Sequence, residues 1–311
     1  MRRVLLFIAL AAILAANWPA TESRAAKAVI AAVLSSDQPR YREAHKSFLK
    51  TLETRGYNSA TTEVILQSPN PDALSWSNAI RKITVFRPDL IIAYGASVSQ
   101  VAAKESKGIP VISVDTYAAE QHASGFCGVS SRVPLHSLLK TVQNIHTTRR
   151  IGVIYSSREL GSQRQLDDIR KHSASLGFRI TEGNAGSTAD LDTILVTMLD
   201  SVDAVFVTES SVACRNFNKI IVRAKSRKIP VVATMPEAAD KGALVSLEIN
   251  PREQGQMAAE TAIRILEGAS ATSLPLLNPH RIDMVINQRV AREMGMEVPI
   301  PVLGIATRVI R

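Results

Sequence analysis

Residues 201–234 read SVDAVFVTESSVACRNFNKIIVRAKSRKIPVVAT, and residues 85–114 read VFRPDLIIAYGASVSQVAAKESKGIPVISV. The two stretches share one grammar. In each, an aspartate (Asp203 or Asp89) precedes a short apolar run, and a small polar loop, TESS or YGAS, then opens a stretch with helical spacing. A basic helix end leads through Ile-Pro into a second run rich in valine. Runs that are apolar almost throughout indicate strands covered on both faces, as in a parallel sheet with helices on each side. Strand, helix, strand, with Gly or Pro at each exit, describes right-handed βαβ units. The repeat predicts a structural duplication of one doubly wound α/β lobe.

The pattern extends outward from these two stretches. Strands are expected at 28–34, 61–66, 90–95, 109–114 and 125–130, then at 150–155, 179–184, 204–208, 229–234 and 243–249. Helices are expected at 41–57, 97–110, 164–178 and 217–230, where Gly56, Gly108 and Gly177 supply exits. The first strand of each half ends in paired serines, in VIAAVLSSDQP (29–39) and IGVIYSSRELG (151–161). Each pair is therefore the first β-to-α loop of its lobe.

Loops at the carboxyl ends of parallel strands are where open α/β sheets bind ligands, and helix N-termini there present free N–H groups. A serine in such a loop can simply cap its helix, which is worth ~1 kcal/mol. Four such loops in duplicate, SSDQ, YGAS, SSRE and TESS, point instead to a ligand cleft between two facing lobes.

The chain has 311 residues, of which 46% are hydrophobic and only 5% aromatic, so its cores are built from Ala, Val, Ile and Leu. Arg2 and Arg3, the apolar run VLLFIALAAILAA (4–16) and Ser23-Arg24-Ala25 have the layout of a secretory leader cleaved before Ala26. That apolar run is shorter than the ~20 residues of a spanning helix. A cleaved leader predicts an exported, periplasmic protein, and the remainder suits two lobes at ~150 residues each. The net charge is +9, with Lys and Arg dispersed rather than clustered. Export removes nucleic acid as a partner, so the charge favours an anionic ligand or an anionic membrane surface. Cys127 and Cys214 fall in different halves, and a bond between them would lock lobes that need to move; two buried, unpaired thiols are expected.

The phrases RRIGVIYSSRELGSQRQLDDIR, VDAVFVTESSV, IPVVATMPEAADKGALVSLEINPREQGQMAAETAIRILEGA and IDMVINQRVAREMGMEVP resemble the type I periplasmic solute-binding proteins of ABC transporters. More narrowly, they resemble the branch that includes tryptophan- and tyrosine-binding members. The resemblance runs from about residue 28 to 298 and is most specific in the last two phrases. It implies two lobes joined by three hinge crossings, with residues 27–130 and 250–275 in lobe 1 and 131–249 and 276–311 in lobe 2. It also implies a small-molecule ligand held in the cleft, hinge closure around it, and docking of the closed form on an ABC membrane permease. A monomer without cofactor is expected.

By position, the family's ligand loops fall in lobe 1 on Ser35, Ser36 and Gln38, on Tyr94, Gly95 and Ala96, and on Asp115. In lobe 2 they fall on Ser156, Ser157 and Arg158, on Thr208 and Glu209, and on the segment from Met235 to Glu237. Amino-acid-binding members of the branch typically carry an aspartate where this chain has Asn250. Asparagine cannot balance a buried ammonium, and losing one partner of such a pair costs ~2–5 kcal/mol. Arg40 and Arg158 lie in the duplicate loops, where a planar guanidinium would suit a carboxylate or phosphate. The expected ligand is therefore neutral or anionic rather than a simple amino acid, although Glu209, Glu237 or Glu248 could supply a carboxylate from another loop.

A periplasmic sensor that presents its closed form to a membrane receptor or kinase would need the same lobes. Catalysis finds little support: the six histidines show no metal spacing, and no GxSxG, Walker A or Rossmann glycine pattern occurs. A repressor built on similar lobes would need an N-terminal helix-turn-helix, where this chain has the leader-like segment.

Overall fold

The computed structural model describes residues 27–117 and 127–311. The expected leader and its cleavage site lie outside the described residues. The chain opens with β1 (Ala28–Leu34), α1 (Pro39–Thr54), β2 (Thr62–Gln67), α2 (Ala73–Thr84), β3 (Leu90–Tyr94), α3 (Ala96–Glu105), β4 (Val111–Thr116) and β5 (Cys127–Ser130). It continues with α4 (Leu135–Ile145), β6 (Arg150–Tyr155), α5 (Leu160–Leu176), β7 (Arg179–Asn184), α6 (Thr188–Met198), β8 (Ala204–Val207), α7 (Ser211–Arg215), α8 (Phe217–Ser226), β9 (Val231–Ala233) and β10 (Val245–Ile249). It ends with α9 (Pro251–Leu266), β11 (Leu276–Leu277), β12 (Ile282–Asn287), α10 (Gln288–Glu293), α11 (Ile300–Gly304) and β13 (Arg308–Ile310).

Two sheets result, ordered β11-β5-β4-β3-β1-β2 and β13-β12-β10-β9-β8-β6-β7. Among the described residues, every pairing is parallel except β10 with β12. The chain crosses between the sheets at 131–134, at Asn250 and at 278–281. Leu276 and Leu277 pair with Gly128 and Val129 of the first sheet, so the last crossing comes after Leu277 rather than at 275–276.

The uninterrupted apolar runs are explained by burial on both faces. In β1, Ile30, Ala32 and Leu34 join one core while Ala31 and Val33 join another. In β8, Ala204 and Phe206 face one core, and Val205 and Val207 face the other. Alternate residues of a strand point to opposite faces, so a strand with no polar residue has no wet face. Each fully buried Val, Leu, Ile or Phe contributes ~1.5–3 kcal/mol.

Two helices start two or more residues earlier than their hydrophobic spacing suggested. α1 begins at Pro39 instead of Tyr41, because proline already has the helical φ and lacks only an N–H that the first turn leaves unpaired. α5 begins at Leu160 instead of 164. These starts bring Arg40 and Gly161 into helical first turns at the cleft. α1 is held by Ala44, Phe48 and Leu52, which share a core with Ala258, Ala259 and Ala262 of α9.

Cys127 and Cys214 are unpaired; Cys127 is buried, while Cys214 is only half-buried because it faces a cavity at the cleft. Among the described residues, no helix is long and apolar enough to cross a membrane.

Candidate functional site

The strand ends of the two sheets face each other, and their loops meet across the cleft. Arg40, in the first turn of α1, is 9% exposed and reaches the middle of it. Its Nε lies 3.2 Å from Asp115 Oδ2 of the same lobe, and its Nη1 lies 3.7 Å from Glu209 Oε2 of the opposite lobe. Nη2 donates to the Tyr41 hydroxyl at 2.9 Å and to the Glu209 carbonyl at 3.4 Å. Burial works against the charge on Arg40, but Asp115, Tyr41 and Glu209 together hold its guanidinium well above the usual range. It is a fixed cation.

Glu209 is placed by the end of β8 and by Gln165 of α5. Gln165 Oε1 accepts from the Glu209 N–H at 2.8 Å, and its Nε2 donates to Thr234 Oγ1 at 3.1 Å. Burial pushes the Glu209 carboxyl up to about 8, opposed by Arg40 and reinforced by Asp115 and Glu159. Asp115, with a left-handed φ of 53°, is oriented by Gln254 of α9, whose Nε2 donates to Asp115 Oδ1 at 3.1 Å and to the Ser130 carbonyl at 3.2 Å. An aspartate tolerates that backbone region better than most residues, at a modest cost in strain.

Around this triad the lobes are tied directly. Gln38 Nε2 of lobe 1 donates to Ser211 Oγ of lobe 2 at 3.1 Å. Ser211 in turn donates its N–H and its hydroxyl to Glu159, at 2.8 and 2.7 Å to separate oxygens. Ser97 Oγ of lobe 1 accepts from the Leu160 N–H at 2.9 Å. On the hinge side, Tyr117 donates to Asp168 at 2.8 Å and Arg132 does so at 2.9 Å.

Two cavities flank the guanidinium. One, of about 10 Å³, is bounded by Arg40, Asp115, Ser131, Glu209, Thr234, Pro236, Ile249 and Gln254; it is at the lower limit for one water. The other, of about 630 Å³, shares Arg40, Pro236 and Ile249 with it and adds Gln38, Cys214, Phe217, Met235 and Glu248. The second has room for a small solute. Among the described residues, no cluster of three or more metal-ligating side chains occurs.

The model of the ABC transporter substrate-binding protein family matches residues 28–310. The chain belongs to that family. It is a solute-binding protein of an ABC transporter, a carrier rather than a catalyst, with the type I periplasmic binding protein fold. Among its relatives is a tyrosine-binding protein of Clostridioides difficile (strain R20291), 23% identical over 272 residues, which are 84% of this chain and 79% of the relative. Among solved structures, an ABC domain in complex with L-Trp from Streptococcus pneumonia superposes with a TM-score of 0.84 at 21% identity, over 91% of this chain and 100% of that one. The ligand-free, open structure of a substrate-binding protein with adhesive properties from Clostridium difficile gives 0.67 at 21% identity, over 91% and 99%. The lobes of the present substrate-binding protein touch across the cleft.

The expected site residues divide into those near the triad and those away from it. Arg40, Asp115 and Glu209 form it, and Gln38 ties the lobes beside it. Ser35, Ser36, Tyr94, Ala96, Ser156 and Thr208 are buried at the strand ends. Several of these serve the loops themselves: the Ser35 carbonyl accepts from Trp76 Nε1, and Thr208 Oγ1 donates to the Ile154 carbonyl. Gly95 has a φ of 106°, and a Cβ there would stand 2.8 Å from both Ser35 Cβ and the Tyr41 hydroxyl, so only glycine allows this approach.

Met235 and Glu237 line the larger cavity. Ser157 is exposed and bonds Asn184 instead. Arg158 is exposed too, and its Nε lies near Gly186 and Asp190. Counted from the serine pairs, Arg158 corresponds to Asp37, which is also exposed, and not to Arg40. Asn250 is exposed, lines the larger cavity and caps α9, accepting from the Arg252 N–H at 2.9 Å.

Sequence reasoning missed Tyr41, Glu159, Gln165, Ser211 and Gln254. Glu159 and Ser211 stood inside the quoted loops SSRE and TESS. Gln165 and Gln254 are polar residues on the buried side of otherwise amphipathic helices, a signal that periodicity contains but does not assign to a partner.

Proposed function

We propose that the protein captures a small solute of zero net charge in the interlobe cleft and delivers it to the membrane permease of an ABC importer. The observation that carries this is the buried triad of Arg40, Asp115 and Glu209, drawn from both lobes. Arg40 is answered by Asp115 within its lobe, and burial shifts Glu209 across the cleft towards its protonated form. The centre of the cleft is thus balanced. A net charge entering it would have no uncommitted partner, and an unpaired buried charge is costly.

The anionic half of the expectation rested on two arginines, of which Arg158 is exposed and Arg40 is engaged. The exclusion of amino acids rested on Asn250, which caps a helix while Asp115 and Glu209 supply carboxylates in the cleft. A zwitterion therefore falls within the reading. Phe217, Met235, Pro236 and Ile249 offer an apolar wall in the larger cavity. Relatives described as tyrosine-binding, or solved with L-Trp, make those two amino acids the first candidates.

Export by the leader-like segment, with the mature chain beginning near Ala26 and acting as a monomer, completes the reading. Small molecules released from natively purified protein are to be identified by mass spectrometry. Tyrosine, tryptophan, neutral polar solutes and simple carboxylates are then titrated calorimetrically against ligand-stripped protein. Binding is expected only for net-neutral compounds; tight binding restricted to anions overturns the reading.

A further inference from the structure

We infer that Arg40 is a tethered occupant of the cation subsite in the cleft, so that the ammonium or guanidinium group of a ligand can bind between Asp115 and Glu209 only by displacing it. The inference deepens the proposed function and rests on its placing the ligand in this cleft.

Asp115 and Glu209 come from opposite lobes, and both are buried, at 5% exposure each. Two carboxyl groups facing one buried point form a site for an organic cation, because a cation held there favours their ionised forms against burial. Arg40 fills that point from its own lobe. Its Nε faces Asp115 at 3.2 Å, and its Nη1 faces Glu209 at 3.7 Å. Neither Arg40 Nε nor Asp115 Oδ2 completes a hydrogen bond, so the tether places the charge well but leaves its contact with Asp115 short of a hydrogen bond. An untethered cation is free of that constraint. Of the two cavities beside the guanidinium, the one that Asp115 and Glu209 border is about 10 Å³, too little for an ammonium group and its attached carbon. Occupation is therefore exclusive. Arg40 sets specificity in two ways: it excludes weakly binding amines, and it links the lobes in a ligand's place.

The test is chemical rescue, which needs no knowledge of the natural ligand. Arg40→Ala, wild type and the control Arg158→Ala are each titrated with guanidinium chloride up to tens of millimolar, against sodium chloride at matched ionic strength, with Tm as the readout. For Arg40→Ala a saturable rise in Tm of about 4 °C or more is expected, with none in wild type or Arg158→Ala. The double variant Arg40→Ala/Glu209→Gln retains one carboxylate and should show a weaker, still saturable rise. If Arg40→Ala folds only when guanidinium is present, that result also supports the inference. A folded Arg40→Ala without saturable stabilisation overturns it, as does a variant that guanidinium cannot restore. Rescue without tyrosine or tryptophan binding would count against the ligand candidates alone, whereas binding of those amino acids without rescue would count against the tethered cation alone.

Discussion

Helices α1 and α5 begin at the same step of the two duplicated lobes: Pro39 and Leu160 each stand four residues after the first serine of a pair. At the next position lobe 1 has Arg40 and lobe 2 has Gly161. A Cβ on Gly161 would stand 1.7 Å from Glu209 Oε1. One lobe supplies a long cation at this position, and the other supplies the space that lets a carboxylate meet it. One step before the helix, Gln38 and Glu159 also correspond, and both bond Ser211. The two lobes share one scaffold, and different residues at matched positions make its centre asymmetric.

The comparison is broken most directly at Arg40. Arg40→Ala should cost ~3–5 kcal/mol, since it strands buried acids, while Arg158→Ala should stay within ~0.5 kcal/mol. Denaturant unfolding at pH 7 measures both, and equal losses would mean that the two loops are not specialised.

The partner of Arg40 gives a pH signature. Glu209 titrates near 8 in the folded chain, above its ordinary 4.5, so the fold holds this proton more tightly than the unfolded chain does. The stability it contributes is full below about 4.5 and is lost as pH rises through 8, amounting to a few kcal/mol at most. Glu209→Gln should flatten the thermal stability profile across that window; an unchanged slope contradicts the assignment.

Gly161→Ala tests the other half of the comparison. The added methyl must push Glu209 aside, for a loss of ~1–3 kcal/mol. The loss should shrink when Arg40 is already alanine, because the two changes disturb one contact. Full additivity in a double-mutant cycle would separate Gly161 from the triad. The smallest effect belongs to Gln38→Ala, which removes one interlobe hydrogen bond worth ~0.5–1.5 kcal/mol. Small-angle scattering should show a more open average shape for this variant, and an identical profile would show that the Ser211 tie does not hold the lobes together.

Much of the architecture was legible beforehand. Both faces of β1 and β8 are covered, so their runs of apolar residues announced a parallel sheet, and the Ile-Pro entries to β4 and β9 marked equivalent units. Boundaries were less legible: β11 is only Leu276–Leu277, too short for any periodic signal, and it moved the third crossing. The cleft was legible as a set of loops but not as a set of directions. Ser35, Ser36, Thr208 and Glu209 are all buried at strand ends, while Ser157 and Arg158 in a matching loop are exposed.

The sequence by itself determined the duplicated α/β lobes and the loops that meet in the cleft, because apolar periodicity and turn residues act over a few neighbours in the chain; its phrases carried the resemblance to the family. Only the tertiary structure decided that Arg40 enters the cleft, that Arg158 leaves it and that Asn250 caps a helix. Those outcomes depend on where α1 begins and on Asp115 and Glu209, which lie 75 and 169 residues further along the chain. A charge is buried where distant partners compensate its desolvation, and the residues beside it in sequence do not contain that information.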